Sequence, residues 1–424
     1  VRKSTNAKSF PGELWLGPRP EERLLLHCLR QHFTAQRKTH GHKPSDKSDD
    51  SRTEPQVPEP QVPGPSIDWN RLERLAEAHH VFPLLCHAIL KEPAIKQHKQ
   101  LCKRMEARGR GLAMGGTYRA AQLVEILAAL RAGGVQALPL KGPVLAAGAY
   151  DNLGLRESCD LDILVAPDDA ARCAAVLGEL GFGDWNVPPK RLAAHLRSES
   201  EHNFFCDKRK MAVDLHWALS RPYFPLSLPF ADLWARRRAV RLGGHDVGAL
   251  SPEDTLLHLC FHGAKHNWEY LGLVCDIAAM LASERPIDWD RLLLLARKTG
   301  TRRILLLGLH LSCESLGSQV PPVIARKIGA ESILRSLTAN ARRHLNGDAP
   351  APTTLTGQAA MGLFFIRIRE RLIDRLRYCF WAAVPNMRDW EASRLPAWLW
   401  FVHILSRPMR LLKRYSPVGR PQWA

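Results

Sequence analysis

CDLDILV, residues 159–165, is the stretch on which the reading of the fold turns. On a β-strand, Asp160 and Asp162 lie two residues apart and project from one face, while Leu161 and Ile163 enter a core. Two carboxylates side by side repel, and an unbound pair is electrostatically strained. A hard divalent cation with oxygen ligands relieves the strain economically. A second segment, VDLHW at 213–217, offers Asp214 with Val213 and Leu215 turned the other way. Three carboxylates on neighbouring strands suit a pair of metal ions, the arrangement that phosphoryl chemistry uses. A D-x-D pair alone is weak evidence, because such pairs also end strands at surface turns, so the flanking sequence has to decide.

On the N-terminal side, YRAAQLVEILAAL (118–130) has helical spacing and is closed by Gly133 and Gly134. VQALPLKG (135–142) reads as a short buried strand, and GPVLAAGAY (142–150) opens a helix with Pro143 at its first position. Gly142 lets free backbone N–H groups come close to a phosphate, and since Pro143 has no donor, Val144 and Leu145 have to supply them. On the C-terminal side, APDDAARCAAVLGELGF (166–182) is a helix with a glycine stop, and HNFFCDKRKMAVDLHW (202–217) is a hairpin with a charged turn. From Pro252 onward nearly every segment is helical. The expected class is α+β, a small mixed β-sheet core flanked by N-terminal and C-terminal helical regions.

LKGPVLAAGAY from Leu140, then Arg156, DLDILV and VDLHW, in this order, resemble the DNA polymerase beta-like nucleotidyltransferase superfamily. The nearest likeness is to its bacterial uncharacterised nucleotidyltransferase family, which has LKG, an arginine and D-x-D-L-V. The similarity reaches ERLLLHCLR (22–30), the IDW helix at 67, AHHVFPLL (78–85), SPEDTLLHLCFHGAKHNW (251–268) and DIAAML (276–281). The resemblance implies that an acceptor attacks the α-phosphate of a nucleoside triphosphate and releases pyrophosphate. Asp160, Asp162 and Asp214 would be the catalytic metal ligands for two Mg2+ or Mn2+ ions. Lys141, Gly142 and Arg156 would meet the triphosphate. The broader superfamily follows its glycine with serine or another glycine, and Pro143 departs from that. The acceptor is unidentified, a small molecule, glycan or peptide. The alternatives are an enzyme acting on RNA ends and a noncatalytic nucleotide-binding module of the same fold.

His258, His262, Lys265 and His266 fall largely on one helical face. No carboxylate or cysteine joins them at ligand spacing, so metal binding is not expected, and His262, Lys265 and His266 are read as nucleotide-site candidates. His216, two residues after Asp214 on the same strand face, is read in the same way.

The chain has 424 residues, 45% of them hydrophobic, enough for a sizeable core of two or three packed units. A formal net charge of +18 favours polyanions: nucleotide phosphates, and weak contact of a basic surface with nucleic acid or an anionic membrane. The ten cysteines form no CxxC pair, so no zinc site is expected, and Cys86, Cys173, Cys260 and Cys313 read as small buried hydrophobes. No N-terminal stretch resembles a secretory signal, which suits a cytoplasmic protein. The apolar run at 395–405 falls short of the roughly 20 residues that span a bilayer. Six regions are expected: an N-terminal helical segment (1–36), a proline-rich and charged disordered linker (37–66), a helical region (67–114), the catalytic core (115–220), a helical domain (221–345) and a basic amphipathic C-terminal region (346–424). IDWNRLERLA at 67 and IDWDRLLLLA at 287 look alike, each with Asp as N-cap, and a recurring way of starting a helix explains them more simply than a duplication.

Overall fold

The computed structural model describes residues 19–40 and 67–383, apart from 97, 184 and 352. The expected linker, except its first residues, and the apolar run at 395–405 lie outside the described residues.

Four strands form the central sheet: β1 (Ala137–Pro139), β2 (Asp160–Val165), β3 (Glu201–Cys206) and β4 (Met211–His216), in the order β1-β2-β4-β3. β2 and β4 are parallel, and the two outer pairings are antiparallel. The alternation read from the sequence sorts the two faces. Leu161, Ile163, Val213, Leu215 and Phe204 are buried with Leu123, Ile126 and Leu130 of α4 (Lys99–Ala132) and with Cys173 and Leu177 of α6 (Ala170–Glu179). The other face carries the carboxylates, and Leu164 on that side packs into a larger helical core.

That core is built from α1 (Pro20–Thr39), α2 (Trp69–Ala78) and α3 (Phe82–Ile89) together with α9 (Pro252–Lys265), α10 (Gly272–Ala282), α11 (Trp289–Thr299) and α12 (Arg302–Leu316). α13 (Pro322–Ala330), α14 (Leu334–Leu345), α15 (Leu355–Ile368) and α16 (Leu372–Ala383) continue it. The short α5 (Pro143–Ala149), α7 (Pro189–Ser198) and α8 (Phe230–Ala235) fill the connections. The class is α+β, as the sequence implies.

Several boundaries differ from the sequence reading. α4 runs unbroken through residues 114 and 115, so the helical region and the catalytic core share one 34-residue helix. α1 extends to Thr39, past the expected start of the linker. Between β4 and α9 stands a second hairpin, β5 (Arg238–Leu242) with β6 (His245–Ala249), turned by Gly243 and Gly244 at positive φ. Cys86, Cys173 and Cys260 are buried, whereas Cys313 is only partly so.

The two IDW segments match in their tertiary bonds as well as their sequence. Asp68 caps α2 by accepting from the Arg71 N–H (3.0 Å), and Asp288 caps α11 by accepting from the Arg291 N–H (2.9 Å). Each aspartate also donates its own backbone N–H to a buried glutamate in the first turn of a Pro-started helix. The acceptors are Glu21 of α1 and Glu253 of α9, both at 3.0 Å. The following residues, Glu22 and Asp254, are fully buried and paired with Arg71 and Arg236.

Candidate active site

Parallel pairing of β2 with β4 sets Asp162 directly beside Asp214, and Asp160 beside Ala212. Asp162 is buried, while Asp160 and Asp214 are partly open. Gly142, at φ 66, turns the chain out of the β1 edge into α5. This turn brings Lys141 across the carboxylate face, its Nζ 3.0 Å from Asp162 Oδ2. His216 Nε2 lies 3.2 Å from Asp162 Oδ1, and its Nδ1 lies 3.4 Å from Glu201 Oε2 on β3. Glu201 is held in turn by Lys265 at the end of α9, 3.5 Å away. Asn203, opposite Asp214 on β3, donates its side-chain amide to Asp214 Oδ1.

The two central carboxyls are driven in opposite directions. Burial alone would raise Asp162, but the Lys141 charge and then the His216 hydrogen bond outweigh it and hold this carboxyl well below the usual aspartate range. The same partnership raises the Lys141 ammonium against the effect of its own burial. Asp214 is pushed upward, first by burial and then by the negative charge of Asp160, with the Asn203 bond opposing. One carboxylate of the pair therefore has a lysine counter-charge, and the other, among the described residues, forms no ion pair with a lysine or arginine.

Arg156, expected at the triphosphate, lies close enough to Lys141 for their charges to interact, but its fork is turned to the helical core. Its Nε and Nη2 make a two-pronged pair with Asp276 of α10 at 2.8 and 2.9 Å, and the Tyr150 hydroxyl donates to the same carboxylate at 2.8 Å. The planar fork that would grip a phosphate is thus already filled. The histidines of α9 form a row, His258 stacked on His262 at 6.2 Å and His262 edge-on to His266 at 4.7 Å between ring centroids. Burial and then the Lys141 charge push His258 down to about 3, and the same two causes push His262 well below the ordinary value. Both rings are therefore neutral at physiological pH. Glu201, Asn203 and Tyr150 were not singled out in the sequence, and Asp276, read there as a partner for the α9 histidines, instead holds Arg156 and Tyr150. The signal for Glu201 and Asn203 was available, since in a hairpin ending at His216 they fall opposite His216 and Asp214.

The residues present fit a divalent cation. Among the described residues, Asp162, Asp214 and His216 each offer a ligand atom within 4.8 Å of the others. Asp162 Oδ2 is buried and accepts no aligned hydrogen bond, with Lys141 facing it as an ion pair. Asp160 stands outside this group, at the head of the same strand. Carboxylate oxygens suit Mg2+ or Mn2+, and an imidazole donor favours the latter.

A family model described as uncharacterised nucleotidyltransferase matches residues 65–317. No curated protein and no solved structure matches the chain. No helix among the described residues is long and apolar enough to cross a membrane. The family match covers more than half of the chain and takes in Lys141, the β2 and β4 carboxylates, Glu201, His216, Lys265 and Asp276. The chain thus belongs to the uncharacterised nucleotidyltransferase family.

Proposed function

We propose that the protein transfers a nucleoside monophosphate from a nucleoside triphosphate to an acceptor, releasing pyrophosphate. The observation that carries this reading is the in-register Asp162–Asp214 pair, one member neutralised by a buried lysine and the other, among the described residues, without a lysine or arginine partner. A divalent cation held by Asp162, Asp214 and His216 would supply Lewis acidity, lowering the pKa of the attacking group and offsetting charge on the transferring phosphoryl.

The chain's own residues do the rest. Lys141 keeps Asp162 ionised and fixed at the floor of the site. Asn203 orients Asp214 by occupying Oδ1, which leaves the other oxygen for a ligand. Asp160 lies close enough to Asp214 for its charge to raise that carboxyl, which suits a second ion shared between them. Because Arg156 is committed to Asp276, we assign the triphosphate to Lys141 and to Arg119 of α4. The Arg119 charge acts on Cys159 at the head of β2, and its buried Nε has no partner among the described residues. Arg156 itself we read as a clamp between the loop before β2 and the helical core. The acceptor is a small molecule, glycan or peptide.

The test is to incubate purified protein with each labelled triphosphate, Mg2+ or Mn2+, and candidate acceptors including RNA and the protein itself. Pyrophosphate release that disappears in Asp162→Asn and Asp214→Asn supports the enzyme. Nucleotide binding without release would replace it with the binding-module reading, and label on RNA would move the acceptor to RNA ends.

A further inference from the structure

The carboxylate face is closed at one end and open at the other. At the closed end, α9 covers the row of His216 and Glu201. At the open end, the register places Asp160, Ala212 and Phe205 in one row across β2, β4 and β3. Phe204 and Cys206 point into the core, so Phe205 shares the opposite face with Asn203 and Glu201, the residues that touch Asp214 and His216. Its side chain is 42% exposed, and no other aromatic ring among the described residues packs on it. Between it and Asp160 in this row stands the small Ala212, and both Ala212 and Asp160 are partly exposed. Two strand spacings put Phe205 about 10 Å across the face from Asp160.

From this arrangement we infer that Phe205 is the stacking platform for the nucleobase of the triphosphate, and so a specificity-determining residue of the site. The inference rests on the nucleotidyltransferase reading above. With the α-phosphate at the carboxylates, the sugar spans the Asp214 and Ala212 strand and the base reaches β3. A phenyl ring offers a base its π-face and no hydrogen-bonding group, so it holds every base and reads none by its edge. Affinity should therefore follow ring area, with ATP and GTP above CTP and UTP.

The test is calorimetric binding to the full chain in Mn2+, comparing ATP, CTP and inorganic tripolyphosphate on the parent protein, Phe205→Ser and Phe205→Trp. Phe205→Ser should weaken ATP by about 10-fold to 100-fold while leaving tripolyphosphate unchanged. Phe205→Trp should bind ATP at least as tightly as the parent. Equal ATP affinity in Phe205→Ser, or an equal loss for tripolyphosphate, overturns the platform. So does a parent protein that binds ATP no better than tripolyphosphate, a result that leaves the triphosphate site standing. If the parent binds neither, the nucleotidyltransferase reading falls and the platform falls with it.

Discussion

Asp162 and Asp214 lie side by side, yet replacing each has a different expected consequence for stability. The Asp162 carboxyl is depressed in the fold, so its contribution is complete above the unfolded value near 3.9 and is lost only as pH falls further, through the folded value. Asp162→Asn should therefore lower the melting temperature at pH 7, because it leaves Lys141 buried without its counter-charge. Asp214 is raised, so its ionisation opposes folding, and the fold gains stability as pH drops through that raised value. Without divalent ions, Asp214→Asn should melt above the parent at pH 7, and the gap should close as the pH is lowered or Mn2+ is added. Melting curves from pH 4 to 8 check both signs. Sequence alone treats the carboxylates as one repelling cluster, and only the Lys141 contact separates them. Turnover should nonetheless fall by about 10³-fold in either variant, because both disable one unit. For Arg156→Ala the expected loss is in stability, about 3–5 kcal/mol by urea denaturation, since Asp276 is stranded in the interior. A loss of nucleotide affinity with stability intact would return Arg156 to the triphosphate.

Elements are joined by polar locks as well as by packing. Glu21 and Glu253 each accept the backbone N–H of a helix-capping aspartate, and both are buried. Replacing Glu253 by Ala should cost about 1.5–3 kcal/mol, the range for a hydrogen bond to a charged group, and Glu21→Ala should cost more, because Glu21 also pairs with Arg71 at 2.8 Å. Chemical denaturation of the two variants and their double mutant tests this, and their losses should add. The sequence marks Asp68 and Asp288 as caps but hides their glutamates, which lie far away in the chain. The same contrast explains what else was legible. β2, the β3–β4 hairpin and α5 are set by local alternation, glycine and proline, and they appear where the sequence puts them. β5 and β6 were missed because Arg238 stands at an inward position of β5 and HDVGA leaves β6 only two apolar side chains of signal, although Val240, Leu242, Val247 and Ala249 face the core around the Gly243–Gly244 turn. Lys265 was found by its helical face, but its grip on Glu201 could be seen only once α9 lay against β3.

At the scale of the whole molecule, α1 precedes the matched family region, yet Leu24, Leu25, Cys28, Leu29 and Phe33 are buried in the main core. Its Arg30 and Gln36 side chains also reach the Ser315 and Ala149 carbonyls. Protease cleavage within 41–66 should therefore leave residues 1–40 bound to the remainder, with the fragments eluting together in gel filtration and parting only in denaturant. Early separation under native conditions would contradict this packing. The parallel pairing of β2 with β4 has a further consequence, for the register of the sheet. A slip of one residue would turn Asp214 toward the apolar side and Val213 toward the open face. A carboxylate buried there without a partner is far costlier than a misplaced valine, so the slipped register is disfavoured by the charge more than by the lost apolar contact. The same carboxylates that line the candidate site thus help to fix the register in which the two central strands pair.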